Sequence, residues 1–273
     1  MRILYFFIGT VLLLFVLWCL MLLPRSDHSG WRALEGVRYA HRGLHDVAAA
    51  MPENSIAAFK AALDNGYGAE LDIHLLKDGN LAVIHDSSLL RTAGADVIVE
   101  DLTVEDIENY RLLGSDEKIP SLQNVLALFE GRAPLVIELK AYKNNAAALC
   151  EAACKVLDNY KGDYCIESFD PRCLRWFKKN RPHVLRGQLS QNFLKSPSGL
   201  GKIVDFFLTS LILNAVTRPH FIAYRFSDMG NFPYRAYTKL FKTQGAAWTI
   251  NTEADYHDAK SKNLLVIFES FKP

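Results

Sequence analysis

The sequence predicts an α/β fold, a TIM-type (β/α) barrel with a small insertion, preceded by one N-terminal transmembrane helix. Strand-like apolar runs alternate with helical ones over about 235 residues, as layered α/β domains require. Charged and imidazole side chains collect where those runs end, in Ala40-His41-Arg42-Gly43 and Val83-Ile84-His85-Asp86, as in a barrel whose site lies at the C-terminal strand ends. Residues 3–23 carry no charge at all. A doubly wound open sheet is the alternative, but no Gly-x-Gly-x-x-Gly turn accompanies the first strand.

Only Gly9 and Thr10 interrupt the apolar character of residues 3–23, and as a helix that stretch spans a bilayer core of about 30 Å. A secretory signal has a shorter apolar region and small residues before its cleavage site. Met21-Leu22-Leu23-Pro24-Arg25 makes a poor one, and no small residues precede Cys19 to favour lipid attachment there. A retained anchor over 1–24 is therefore favoured over a cleaved signal, with a linker over 25–36 and a barrel domain over 37–273. Arg2 lies on one side of the span and Arg25, Arg32 and Arg38 on the other. The positive-inside count thus leans towards a cytoplasmic catalytic domain on a single-pass membrane protein.

The chain has 273 residues, 50% hydrophobic and 22% charged, enough to bury one large core. A net charge of +1 with dispersed Lys and Arg gives no reason to expect nucleic acid as a partner. The five cysteines, Cys19, Cys150, Cys154, Cys165 and Cys173, show no zinc-finger spacing. Cys150 and Cys154 fall one helical turn apart, and an odd count is not a disulfide framework. Reduced, structural thiols disfavour an oxidising compartment.

In chain order, a first helix begins near Asn54 or Ser55, either of which can cap it. Ile56, Phe59 and Leu63 recur with helical spacing before Asn65-Gly66 ends it. Lys77-Asp78-Gly79-Asn80 is a tight-turn sequence, so 70–76 and 81–85 are expected to pair as a hairpin. Residues 87–121 are of mixed polarity, with Thr103 as a helix cap ahead of Asp106, and read as an excursion from the barrel repeat. Beyond them come a helix at 122–129 closed by Gly131, a strand at 134–139, a helix at 145–160 and a strand at 164–168. Asp170-Pro171 caps and opens another helix. Further strands are expected at 184–189, 221–225, 246–250 and 264–268. Residues 203–216 form a very apolar helix too short to span a bilayer. It reads as a buried barrel helix, with a membrane-facing helix beside the pocket as the minority alternative.

Side chains alternate faces along a strand, so Glu70, Asp72 and His74 point one way while Leu71, Ile73 and Leu75 point the other. Two carboxylates and an imidazole on one face suit a divalent cation, and oxygen ligands favour Mg²⁺, Ca²⁺ or Mn²⁺ over zinc. Alone, such a strand is as readily a solvated face. Two histidines at strand ends and an arginine beside one are harder to dismiss together with it.

These segments, His41-Arg42-Gly43, Pro52-Glu53-Asn54-Ser55 leading into Ala58-Phe59, Glu70-Leu71-Asp72, Lys77-Asp78-Gly79, His85-Asp86, Leu90-Arg91-Thr92 and Glu138-Leu139-Lys140, follow one another in an order that resembles the glycerophosphodiester phosphodiesterase family. The resemblance runs from about Tyr39 to the C-terminus and is strongest before Lys140. It implies a substrate with glycerol phosphate esterified to a second alcohol, cleaved to glycerol 3-phosphate and that alcohol, with a neighbouring hydroxyl attacking phosphorus to give a cyclic phosphate that water opens. It places Glu53 in the active site and implies that the 87–121 insertion shapes the pocket. Trp248, in Trp248-Thr249-Ile250-Asn251, resembles the family's late tryptophan motif and is expected to line the pocket, though packing is an equal use of a strand-end tryptophan.

The chemistry assembles as follows. Glu138 completes an oxygen site with Glu70 and Asp72 for one divalent cation, Mg²⁺ or Ca²⁺. Arg42 and Lys140 add positive charge beside the phosphoryl group. His41 and His85 suit general base and general acid, in an order the sequence leaves open. The family commonly ends in a Gly-rich strand and a Thr-Asp pair before a proline, whereas Asn263 to Pro273 departs from that pattern. The departure places the last strand in question and is expected to touch none of the metal ligands or catalytic histidines. A lysophospholipase D acting on membrane lysophospholipids is the neighbouring reading. A silent, membrane-tethered phosphodiester-binding protein is disfavoured by retention of both histidines and all three acids.

Overall fold

The computed structural model describes residues 1–25 and 30–273. Nine strands form one sheet: β1 Arg38–Ala40, β2 Gly68–Leu75, β3 Leu81–Val83, β4 Leu135–Leu139, β5 Tyr164–Ser168, β6 Arg186–Ser190, β7 Phe221–Arg225, β8 Gln244–Ile250 and β9 Leu265–Phe268. All except β3 are parallel, and β1 pairs with both β2 and β9, so the sheet closes into an eight-stranded barrel. That closure excludes the open doubly wound sheet. The expected hairpin is present, with β3 antiparallel to β2 and Ile73 opposite Val83.

The local signals act as their chemistry requires. Of the two expected caps for the first barrel helix, Ser55 serves, accepting from the Ala58 N–H ahead of Ile56–Asp64. Asn54 is freed to reach inward. Thr103 and Asp106 form a capping box on Val104–Ile107, within an insertion that keeps its own small core of Leu89, Val99, Ile107 and Leu112. Along β2 and β4 the odd-numbered residues Leu71, Ile73, Leu135 and Ile137 face the surrounding helices in the main outer core. The even-numbered ones therefore face the barrel axis.

The barrel floor is filled from the N-terminal side. Within the stretch expected as a linker, residues 26–29 lie outside the described residues. Trp31 and Leu34 beyond them are buried with Tyr39, Val136 and Phe221 inside the barrel, and Trp31 tilts on Phe221 with ring centroids 5.2 Å apart.

The N-terminal helix runs from Arg2 to Leu22, 21 residues and uniformly apolar apart from its ends, long enough to cross a membrane as a span or to serve as a signal sequence. Only its last turns meet the barrel: Leu22 is buried, and the Trp18 indole stacks on Phe232 and donates to the Ser210 carbonyl. The helix expected as one piece over 203–216 is broken in two, Lys202–Thr209 and Asn214–Thr217, because Leu211 between them adopts φ 59°. Its apolar side is not buried either, since Ile203, Phe206 and Phe207 are exposed.

Gly187 on β6 lies under the Phe221 ring, where an added Cβ would come within 2.2 Å of a ring carbon. Gly187→Ala is therefore expected to destabilise the barrel by about 1–3 kcal/mol through overpacking, measured as a shift in the chemical denaturation midpoint at unchanged slope.

Candidate active site

At the C-terminal end of the barrel the register sets Asp72 of β2 beside Glu138 of β4, and Glu138 beside Glu167 of β5. Ligand oxygens of Glu70, Asp72 and Glu138 all lie within 4.8 Å of one another, and all three residues are buried. Lys140 enters this cluster, its Nζ 3.0 Å from Asp72 Oδ1 and 2.8 Å from Glu138 Oε2. Asp72 is also gripped by Asn54, whose Nδ2 donates to Oδ2 at 2.9 Å. The site is all oxygen on the ligand side, which fits a hard divalent cation.

The electrostatics favour one as well. Burial, then repulsion from Asp72, Glu138 and Glu167, holds the Glu70 carboxyl well above the usual range. Burial likewise raises Glu138 to about 7, against the pull of Lys140. Glu167 is raised well above its ordinary value by burial and by Glu138. For Asp72 burial acts in the same upward sense but is outweighed by Lys140, His85 and Arg42, so its carboxyl stays ionised. The cluster therefore carries more carboxylates than nearby cations can satisfy, which a divalent ion would relieve.

Arg42 follows β1 in the left-handed region, φ 56°, and its backbone N–H donates to Glu70 Oε2 at 3.1 Å. Gly43 completes this turn at φ 81°, where a Cβ would strike the Ala58 backbone at 2.8 Å. Only glycine lets the loop pass so close to the first helix. The Arg42 guanidinium donates to Glu53 Oε1 at 2.9 Å, and Arg91 from the insertion donates to both Glu53 oxygens. Glu53 thus clamps two guanidiniums beside a pocket whose polar wall includes His41, Arg42, Glu70, His85, Glu138, Lys140 and Glu167. Phe169, Leu189 and Trp248 form the apolar wall opposite.

Both imidazoles are backed by carboxylates. His41 Nδ1 is 2.6 Å from Glu269 Oε2, and His85 Nδ1 is 2.6 Å from Asp86 Oδ1. A carboxylate can only accept, so each Nδ1 carries the proton. In His41 this turns Nε2 toward the cluster, 3.9 Å from Glu70 Oε2. Burial, with Lys140 and Arg42 adding to it, pushes the His85 imidazole down to about 4 in spite of Asp72.

Two expectations are corrected here. His74 shares the strand face of Glu70 and Asp72 but is no ligand: its Nδ1 bonds Glu100 at 2.6 Å and its Nε2 the His85 carbonyl at 3.1 Å. The hairpin strand β3 lies over that end of β2 and draws His74 into supporting the His85 loop. The unusual C-terminal sequence was expected to touch no catalytic histidine, yet it forms β9 and supplies Glu269, the partner of His41. Glu269 and Glu167 escaped the sequence reading. The only signal for Glu167 was period-two alternation along β5, which puts it on the inner face with Cys165.

A closed parallel barrel with acids and imidazoles gathered at its C-terminal end has the architecture of an α/β-barrel enzyme. Residues 41–261 match the glycerophosphoryl diester phosphodiesterase family, and the chain belongs to that family and is a phosphodiesterase. A glycerophosphodiester phosphodiesterase of Caldanaerobacter subterraneus is 37% identical over 168 residues, which are 58% of this chain and 68% of that one. A lysophospholipase D of Rattus norvegicus is 30% identical over 125 residues, 41% of this chain and 38% of its own. Among solved structures, an Oleispira antarctica phosphodiesterase in complex with the product sn-glycerol-3-phosphate superposes with TM-score 0.71 at 21% identity, covering 87% of this chain and 94% of that one.

The raised Glu138 value gives a signed expectation. With no cation bound, its contribution to stability is present below the ordinary value of 4.5 and is lost as pH rises through about 7. Magnesium or calcium should therefore raise the melting temperature of chelator-treated protein more at about pH 8 than at about pH 5, where protons compete for the ligands. Equal shifts at both pH values would contradict the cluster's role.

Proposed function

We propose that the chain hydrolyses glycerophosphodiesters to glycerol 3-phosphate and an alcohol, with one divalent cation, Mg²⁺ or Ca²⁺, held by Glu70, Asp72 and Glu138. The observation that carries this reading is the convergence of three carboxylate oxygens within 4.8 Å with two carboxylate-backed imidazoles at one barrel end. A cation there supplies a Lewis acid for a phosphoryl oxygen and offsets its developing charge. Arg42 and Lys140 hold further positive charge on the same side, with Glu53 fixing the Arg42 guanidinium.

His85, uncharged at neutral pH, accepts the proton of the substrate hydroxyl next to the phosphate. That oxygen bonds phosphorus as the bond to the leaving alcohol breaks, and His41, entering this step with a proton on Nε2 as well as on Nδ1, gives the alcohol its Nε2 proton. Water then opens the cyclic phosphate with the roles exchanged: His41 accepts, His85 donates, and both return to their starting states. Trp248 and Phe169 carry the apolar part of the leaving group.

That apolar wall also favours a second reading, cleavage of lysophospholipids, in keeping with the lysophospholipase D among the relatives. The N-terminal helix would then anchor the enzyme beside its substrate, with the catalytic domain cytoplasmic. Arg25, Arg32 and Arg38 on the barrel side, and five free cysteines, support that side.

Turnover of a soluble glycerophosphodiester is expected to need added divalent cation, and His41→Gln or His85→Gln to lower it by about 10² or more with the Michaelis constant little changed. Normal turnover after chelation, or in either variant, would sink the mechanism. A parallel lysophospholipid assay decides between the two substrates. For sidedness, the barrel should resist external protease in intact cells; digestion from outside would reverse the assignment.

A further inference from the structure

The two-part helix after β6 is built inside out. On Lys202–Thr209 and Asn214–Thr217 the polar residues Asp205, Thr209, Asn214 and Thr217 are buried, while Ile203, Phe206 and Phe207 face outward. Ile203 is 76% exposed and Phe206 57%. Of the buried polar residues, Asp205 is tied to the preceding loop: its Oδ1 accepts from the Ser198 hydroxyl at 2.5 Å and from the Ser198 backbone N–H at 3.0 Å. A surface helix in water buries its apolar stripe and exposes its polar one. The reverse arrangement is favourable only against an apolar medium.

Three further observations say which medium. Loop 191–201, leading into this helix, follows the end of β6 at Ser190 and so lies on the active-site face, where it exposes Leu194 and Leu200. The exposed charges of residues 193–209 are both basic, Lys202 and Lys195, the latter exposed while its Nζ lies 3.4 Å from the buried Asp228, and the single acid Asp205 is buried, a polarity suited to anionic headgroups. The N-terminal helix is joined to the same side. Just past its end at Leu22, the Arg25 N–H donates to the Pro219 carbonyl, ahead of β7, whereas Trp18 reaches Ser210 and Phe232, and Phe232 opens the helix after β7. Its exposed part, residues 3–17, therefore continues toward the face that carries the active site.

We propose that this rim, the outer face of Lys202–Thr209 with Leu194 and Leu200, lies in the headgroup region of an anionic phospholipid bilayer, so that the active-site mouth opens onto the membrane surface. The proposal rests on the reading of the N-terminal helix as a membrane anchor. From the rim an apolar path leads inward: Phe193 meets Phe169 edge-on at 6.1 Å, and Phe169 meets Trp248 edge-on at 5.6 Å. Phe169 and Trp248 already form the pocket wall. A single-chain lipid can thus present its phosphodiester to the acid cluster while its apolar portion follows the aromatic path back to the bilayer.

The test uses the full chain in vesicles of phosphatidylcholine and phosphatidylglycerol. In a Cys19→Ser background, where the other cysteines are buried, a fluorophore is attached at Ile203→Cys, Phe206→Cys or, on the opposite barrel end, Lys161→Cys. Spin-labelled phosphatidylcholine should quench the first two about two-fold or more and leave the third unaffected. Quenching no greater at 203 and 206 than at 161 would overturn the proposal. Alkaline extraction of the same vesicles reports separately on the N-terminal helix, so failure of the anchor and failure of the rim are distinguishable. As a second measurement, Ile203→Glu with Phe206→Glu should lower turnover of vesicle-borne lysophospholipid by about ten-fold or more while soluble glycerophosphodiester turnover stays within about two-fold. Equal loss on both substrates, or loss on neither, would count against the rim.

Discussion

Four carboxylates buried inside one end of a closed barrel, with Lys140 and Arg42 as the fixed cations set against them, are the constraint on which the rest of the structure depends. Ionised groups in that setting repel one another and have lost their water. The response is visible in the upward pressure on Glu70, Glu138 and Glu167 and in the concentration of cationic contacts on Asp72. Neither the parallel ladder nor the outer helices can relax this by letting the strands part, because β1 is hydrogen-bonded on both sides and closes the ring. The barrel thus holds an unfavourable charge distribution in a fixed geometry, which is what binding a divalent cation requires of its site.

The barrel class, the hairpin and the acid triad were legible because each follows from a local rule: strand alternation, turn chemistry and the identity of strand-end residues. Glu70 and Asp72 are two apart on one strand, and Glu138 stands next to the last residue of the neighbouring strand. His74 obeys the same alternation and yet does a different job. Strand period says which face a side chain takes, but not which neighbour is waiting there, and here Glu100 from the insertion is that neighbour. Glu53 illustrates the same limit. Its place near the strand ends was expected, while its use as a clamp on Arg42 and Arg91 depends on where the insertion folds back.

The helix after β6 was unreadable for another reason. Ile203, Phe206 and Phe207 spell an apolar stripe whether that stripe meets the barrel or the outside. Only the partners of the opposite stripe discriminate. Asp205 bound to Ser198, and Asn214 and Thr217 buried against the barrel, take the inner positions, so the apolar residues are left outward. Loss of the regular helix at Leu211 allows the second short segment to keep its polar residues inward as well.

The end of the chain joins fold closure to chemistry. The last ladder contact brings Phe268 of β9 beside Ala40 of β1, and the His41 N–H donates to the Phe268 carbonyl at 2.9 Å. One residue past the end of β9, Glu269 donates its own N–H to the Ile250 carbonyl on β8 and accepts the hydrogen bond from His41 Nδ1 on its side chain. That hydrogen bond from His41, ahead of the opposing effect of burial, holds the Glu269 carboxyl below its usual range. The bonds that shut the barrel therefore also set the tautomer and direction of one imidazole, whereas His85 takes its orientation from Asp86 and the insertion. The two histidines are positioned by independent parts of the chain, one by barrel closure and one by the hairpin and its excursion, and they converge because both parts end at the same rim of strands.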